Sequence, residues 1–202
     1  MLNKYNFLVN KFVSKSGHQP EISGVLVTKT GTVATDRYTL LEVSAPDMEL
    51  SDYPIIPGQE TAETETHIMP IEAAIQLQAD LKKIKGNLPI LQNTASLKLT
   101  EPDQAGFITT NLEMAKPVIY RKIDGAFPDY KNIIPTGEPA FTFNISPEYL
   151  KRVAEVYTAI GNASVEVKLY PDKVGLFNQP ITFEAKTPQG QTVKALLTTI
   201  KS

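Results

Sequence analysis

Gly125-Ala126-Phe127-Pro128-Asp129-Tyr130-Lys131-Asn132-Ile133-Ile134-Pro135 reads as a stiff connector. Each proline fixes its own φ and pushes the preceding residue toward extended backbone. Asp129 and Tyr130 read as hydrogen-bonding residues that hold the connector in place. What flanks this stretch decides the fold. On both sides an amphipathic helix pattern is followed by strands of period two.

Upstream, two such patterns follow one another. In the first, about 1–52, Phe7, Leu8, Phe12 and Val13 recur at helical spacing and Ser16-Gly17 stops the helix. Ile22 to Val27, Thr32 to Thr35 and Tyr38 to Val43 read as strands, with Lys29-Thr30-Gly31 as a hairpin turn. A polar loop carries Pro54, Pro57, Gly58 and Glu60 to Glu65. In the second pattern, His67-Ile68-Met69 is a short strand and Pro70 suits a first helical turn. Ile71, Ala74, Ile75, Leu77, Leu81 and Ile84 form the apolar stripe, and Gly86 ends the helix. Strands follow near Ala95 to Thr100, Gly106 to Thr110 and Pro117 to Lys122.

Downstream, Ala140 to Ile145 alternates as a strand. Ser146 is a good N-cap with Pro147 behind it, and Tyr149, Leu150, Val153, Val156, Tyr157 and Ile160 make the next stripe. Strands are expected at Ser164 to Tyr170, Val174 to Phe177, Ile181 to Ala185 and Thr192 to Ile200. The whole is about three helix-plus-sheet units of the α+β class, with helices on one face of antiparallel sheets. The expected domains are 1–137, which ends in the connector 125–137, and 138–202.

Bulk composition is that of a globular chain: 42% apolar, 21% charged and no cysteine. No uninterrupted apolar run resembles a signal peptide or a membrane span, so a soluble cytoplasmic protein is expected. A net charge of −2 argues against an all-over basic surface and leaves room for a local basic stripe. No phosphate loop, nucleophile elbow or metal-ligand spacing is present. His18 and His67 read as surface or edge residues, and Asp36 as a turn or strand-end residue. No catalytic residue, metal or cofactor is expected.

The connector, together with Val33-Ala34-Thr35-Asp36-Arg37-Tyr38-Thr39-Leu40-Leu41 upstream of it, resembles two landmark motifs of the bacterial DNA polymerase sliding clamp. That family is the beta subunit of the replicative polymerase. The resemblance implies a clamp fold, with the helices facing a central hole and the sheets forming the outer wall. The first two units resemble the family's middle domain, and the third resembles the closing half of its last domain. Departures stand at several positions. After Thr-Asp the family usually has Gly-His-Arg-Leu, where this chain has Arg37-Tyr38-Thr39-Leu40. The linker usually carries Arg where Asn132 stands. The last strand usually reads Met-Pro-Met-Arg, where this chain has Thr198-Thr199-Ile200-Lys201.

By residue match, the resemblance implies a peptide-docking pocket lined by Ile22, Thr35, Tyr38, Leu40, Pro128, Asn132, Ile133, Leu196 and Ile200. An apolar cleft with rigid walls suits short peptides with Leu or Phe anchors, because a few buried anchors carry most binding energy. Taken singly, Ile22, Leu40 and Leu196 also read as junction core. For DNA the implied candidates are Lys4, Lys11, Lys15, Lys82, Lys83, Lys85, Lys151 and Arg152. Their alternative reading is a plain solvated helix face, and Glu72, Asp80, Glu148 and Glu155 dilute the basic stripes.

The resemblance implies a non-catalytic processivity factor. An oligomeric ring encircles duplex DNA without reading sequence and tethers a polymerase, with polymerase and clamp loader docking through short linear peptides. A family ring holds twelve units, so three per chain imply four copies. Two other readings stand beside it. One is a truncated, non-encircling module that binds clamp-binding peptides as a regulator or decoy. The other is a structural β-rich domain with no role in replication.

Overall fold

The computed structural model describes residues 1–16, 18–84, 88–140, 142–161, 164–170 and 180–200. The chain divides into two units, Met1–Ile133 and Ile134–Ser202. The expected strand Val174 to Phe177 lies outside the described residues.

Unit 1 contains two antiparallel sheets. The four-stranded one has the order β4-β3-β2-β6, from β2 (Gly24–Thr28), β3 (Gly31–Thr35), β4 (Leu40–Ser44) and β6 (His67–Pro70). The five-stranded one runs β1-β7-β8-β9, with β5 also on β7. Its strands are β1 (Leu2–Asn3), β5 (Thr61–Ala62), β7 (Asn93–Leu97), β8 (Gln104–Thr110) and β9 (Ala115–Arg121). A 3-10 helix, Asn6–Phe12, and helix α1 (Ile71–Lys83) pack on each other and on both sheets.

The period-two pattern explains the layers. Val25 and Val27 of β2, Ala34 of β3 and Met69 of β6 point into one core with Phe7, Val9, Leu77, Leu81, Phe107 and Val118. Their neighbours Leu26, Val33 and Ile68 point the opposite way, into a second cluster that includes Tyr130. A third cluster of Tyr53, Ala95, Leu97 and Ile108 is packed against by Leu50, in a 3-10 turn, and by Ile56 of the polar loop. Each fully buried Leu, Val or Phe stabilises by roughly 1.5–3 kcal/mol relative to exposure, so the pattern itself carries the fold.

The expected first helix is a 3-10 helix rather than an α-helix. Its first residue, Asn6, is claimed by tertiary partners. The Asn6 carbonyl accepts from the Thr32 hydroxyl at 2.7 Å, and the Asn6 side-chain amide donates to the carbonyls of Val43 and Ser44. No side chain caps its start and no acid stands in its first turn. Pro70 closes β6 rather than opening α1, which begins at Ile71.

Unit 1 is tied by exchange between its halves. β1, which precedes the first helix, pairs with β7, the first strand after α1. β6, which precedes α1, pairs with β2, the first strand after the first helix. The other edge of β6 bridges Ile123, just past β9, where the Ile123 amide donates to the Ile68 carbonyl at 2.9 Å.

Unit 2 holds helix α2 (Pro147–Ala159) and a sheet of order β10-β11-β12, from β10 (Glu166–Lys168), β11 (Ile181–Lys186) and β12 (Thr192–Leu197). The Ser146 hydroxyl accepts from the Tyr149 amide, so the expected N-cap and the Pro147 behind it are in place. Val153 and Tyr157 face the sheet, and the Tyr157 hydroxyl donates to the Phe183 carbonyl at 2.6 Å. The Ile200 amide donates to the Asn144 carbonyl at 2.7 Å.

Candidate functional site

In unit 1 two of the pocket candidates, Leu40 and Pro128, lie on the face of the four-stranded sheet that the connector covers. Thr35 and Leu40 lie opposite each other on β3 and β4. Between them the chain turns tightly. The Asp36 carboxylate accepts from the Tyr38 and Thr39 amides and the Thr39 hydroxyl, the donation from the Thr39 amide being the main cause of its lowered pKa. Asp36 is thus a turn residue. Arg37 sits in the left-handed region with φ of 79°. The turn projects Tyr38 outward, 93% exposed. Leu40 packs against Leu26, Val33, Ile68 and Tyr130.

The connector lies on this same face. The Tyr130 hydroxyl donates to the Glu42 carboxylate at 3.0 Å, and Phe127 meets Tyr130 edge to face at 6.3 Å between ring centres. The Asn132 side-chain amide donates to Asp129 at 2.6 Å. A cleft of about 530 Å³ opens beside the connector, lined by Leu26, Ile68, Ile123, Phe127, Pro128 and Tyr130 among others. Pro128 is the one pocket candidate that lines it. Ile22 is buried in a separate 3-10 turn, its carbonyl bound by the Ser14 amide. Ile133 ends the unit with 70% of its surface exposed.

In unit 2, Leu196 lies on β12 and is 63% exposed, and Ile200 is half exposed beside Asn144. Leu26, Ile68, Ile123, Phe127 and Tyr130 stand outside the set of pocket candidates read from sequence. A signal for them is present there: β2 is apolar at successive positions, so both its faces need a cover, and the aromatic pair of the connector supplies one.

The basic candidates differ in their surroundings. The Lys4 ammonium sits 5.2 Å from the Tyr5 ring centre. Lys83 pairs with Asp80 at 3.5 Å, Lys151 with Glu155 at 3.7 Å and Arg152 with Glu148. Lys11, Lys15 and Lys82 form no ion pair among the described residues. Lys85 lies outside them. His67, read from sequence as a surface or edge residue, is on the edge strand β6, yet its ring is buried against Phe107 and Tyr120. Among the described residues no cluster of His, Asp or Glu suits a metal ion, and no helix is long and apolar enough to cross a membrane.

This α+β fold, helices set against antiparallel sheets, is similar to that of the bacterial DNA polymerase sliding clamps. The DNA polymerase sliding clamp from Bacillus subtilis is similar over 97% of this chain and 46% of its own, with TM-score 0.64 and 17% identity. Caulobacter crescentus pol III beta matches over 98% and 49%, with TM-score 0.63 and 18% identity. The Pseudomonas aeruginosa sliding clamp matches over 98% and 50%, with TM-score 0.63 and 14% identity. This chain therefore spans about half the length of these clamps. No protein-family model matches the sequence, and no curated protein does.

Proposed function

We propose that this chain is a non-catalytic processivity clamp. It encircles duplex DNA as an oligomeric ring, of four copies if the ring holds twelve units. It tethers a polymerase by docking that enzyme's short linear peptide. The observation that carries this reading is the clamp fold over nearly the whole chain. A second observation supports the docking function. Tyr38, Ile133, Leu196 and Ile200, all matched to the family's pocket, keep large apolar side chains in solvent. Such side chains gain little for folding and are the kind that a peptide anchor desolvates. DNA affinity of the free protein is feeble, because Glu72 and Asp80 of α1 and Glu148 and Glu155 of α2 dilute the bases of those helices.

The test has two arms. A fluorescent Gln-Leu-x-Leu-Phe peptide is titrated with the protein, and primer extension by a bacterial replicative polymerase is followed on circular DNA. Saturable peptide binding with longer extension products supports the clamp. Absence of both removes it.

The ion pairing of Lys151 and Arg152 on α2 favours a second reading, a non-encircling module that captures clamp-binding peptides as a regulator or decoy. It gives peptide binding with no gain in extension length.

A further inference from the structure

A short segment occurs twice, once inside unit 1 and once at its end. Asp52-Tyr53-Pro54-Ile55-Ile56-Pro57-Gly58 follows the strands of the unit's first half, and Asp129-Tyr130-Lys131-Asn132-Ile133-Ile134-Pro135-Thr136-Gly137 follows those of its second. Each tyrosine crosses to the other half's sheet. Tyr53 packs with Ala95 and Leu97 of β7 and Ile108 of β8, and Tyr130 with Leu26 of β2 and Val33 of β3. In both cases these are the first two strands after a helix, and the covered residues pair across them, Ala95 with Ile108 and Leu26 with Val33. Both tyrosines are buried and both hydroxyls donate, that of Tyr53 to the Ile108 carbonyl at 2.7 Å. The first isoleucine that follows is left outside both times: Ile55 is 96% exposed and Ile133 70%.

The first copy of the segment holds Ile55 between two anchors. Tyr53 is pinned by its hydroxyl, and Ile56 packs against the same cluster. Pro54 and Pro57 fix their own φ and press Tyr53 and Ile56 toward extended backbone, which Tyr53 adopts with ψ of 138°. The Gln59 amide then donates to the Ile56 carbonyl at 3.0 Å across Pro57-Gly58, with Gly58 at φ of 76°, a type II turn. A side chain held out in this way loses little conformational freedom when a partner covers it. The charge around it has one sign. From 45 to 59 the chain carries Asp47, Glu49 and Asp52, all exposed, and no Lys, Arg or His. None of these three carboxylates forms an ion pair among the described residues. Lys98, whose amide bonds the chain just past the loop, is held by the Glu60 carboxylate at 2.8 Å.

We infer that the 46–59 loop is a second docking surface of unit 1, and that its occupant is a short peptide with an aliphatic or aromatic anchor flanked by Lys or Arg. Ile55 meets the anchor, and Asp47, Glu49 and Asp52 meet the cations. The charge selects this occupant, because three unpaired carboxylates and no base surround the exposed side chain. A two-fold contact with a second copy would set carboxylate against carboxylate, since such a contact puts the same patch on both sides. This surface goes beyond the docking of a polymerase peptide and does not rest on it. It stands on the exposure, anchoring and charge of the loop itself.

The experiment follows backbone amide resonances of the whole chain as peptides are added. Three peptides share a Leu-Ser-Leu-Phe core and carry Lys-Lys, Ser-Ser or Glu-Glu at both ends. The expected result is a saturable shift of the 46–59 amides by the Lys-flanked peptide at concentrations up to about 1 mM. The Glu-flanked peptide should bind at least about tenfold more weakly, and added salt should shrink that difference by screening exposed charge. Ile55→Ser should weaken the Lys-flanked peptide at least about tenfold and leave the unfolding midpoint in place. Asp47→Asn with Glu49→Gln and Asp52→Asn should bring the Lys-flanked and Ser-flanked peptides to equal affinity. A Lys-flanked peptide that shifts no amide in 46–59, that binds Ile55→Ser as well as the parent, or that binds no better than its Glu-flanked counterpart overturns the inference. So does a shift of these amides on raising the protein concentration alone, which makes a second copy the occupant. Ile133→Asp should leave binding at this loop intact. Loss of Gln-Leu-x-Leu-Phe binding with the Lys-flanked peptide retained removes the polymerase docking and keeps this surface, and the opposite pair of results does the reverse.

Discussion

The Nε2 atom of His67 lies 2.7 Å from the Tyr120 hydroxyl, and its Nδ1 lies 2.9 Å from the Glu65 carbonyl oxygen. A carbonyl only accepts, so Nδ1 carries the proton and Nε2 accepts from Tyr120. Burial pushes the Tyr120 pKa well above its ordinary value, which keeps that donor protonated. The pair joins β6 to β9, and so joins the two sheets of unit 1.

Burial, the largest cause, lowers the His67 pKa; the hydrogen bond to the Glu65 carbonyl offsets part of this, and the Lys122 charge lowers it again. The folded chain therefore prefers the neutral ring, while the unfolded chain takes up a proton more readily. Stability contributed here is complete above about pH 6.5, the ordinary histidine value, and is lost as pH falls below it. Urea unfolding at about pH 5.5 should give a lower free energy than at about pH 7.5, and His67→Gln should flatten that difference. Tyr120→Phe leaves a buried acceptor without its donor and should cost about 1–3 kcal/mol at neutral pH. An unchanged pH profile in His67→Gln would show that other groups set it.

Arg37 occupies left-handed backbone where the resembling family carries glycine. A side chain there costs roughly 1–2 kcal/mol, and glycine's extra freedom in the unfolded chain returns part of the gain. Removing the Arg37 side chain gives up one exposed hydrogen bond, from its Nε to the Gln19 side chain at 2.6 Å. Arg37→Gly should therefore raise unfolding stability by about 0.5 kcal/mol, read as a higher urea midpoint at unchanged slope. A drop in the midpoint would mean that the bond to Gln19 outweighs the strain.

Elements whose pattern is set by local chemistry are legible in the sequence. Ser146 and Pro147 mark the start of α2 because capping needs only neighbours in the chain. Asp36 reads as a turn for the same reason. The first helix reads as α from its spacing but folds as 3-10, because the partners of Asn6, Thr32, Val43 and Ser44, come from distant strands that no periodicity reveals. The burial of His67 is hidden in the sequence by the same cause: Tyr120 is far away along the chain, and its hydroxyl makes a buried imidazole tolerable. At the candidate site, the connector's role against the sheet is readable from Pro128 and Tyr130. That Leu26 and Ile68 form the cleft floor depends on which face each strand turns outward, which register decides.

Lys11, Lys15 and Lys82 form no ion pair among the described residues, and neither does Lys4, whose ammonium lies over the Tyr5 ring. Any duplex binding should come from such phosphate contacts and be indifferent to sequence. Binding measured by anisotropy across a salt series should weaken steeply, and reversing all three to Glu should lower the log–log slope by roughly one per lysine that contacts a phosphate. Lys151→Gln should change it little, since that lysine is paired with Glu155. A slope untouched by the triple variant would move the DNA-facing surface elsewhere.

Exposure separates the pocket candidates into two groups with opposite expected behaviour. Ile22 is 2% exposed, so Ile22→Ala should destabilise the fold by about 2–5 kcal/mol and disturb any binding only through that loss. Tyr38, Ile133 and Ile200 are 93%, 70% and 50% exposed. Surface substitutions of this kind shift stability by about 0.5 kcal/mol or less. Ile133→Asp and Ile200→Asp should each leave the unfolding midpoint in place. Each should also weaken the Gln-Leu-x-Leu-Phe peptide by at least about tenfold, the equivalent of about 1.4 kcal/mol for one missing apolar anchor. Tyr38→Ala should act in the same direction. Full peptide affinity in all three variants, with folding intact, would place the docking surface on the cleft beside Phe127 and Pro128 instead, where Phe127→Ala then becomes the deciding substitution.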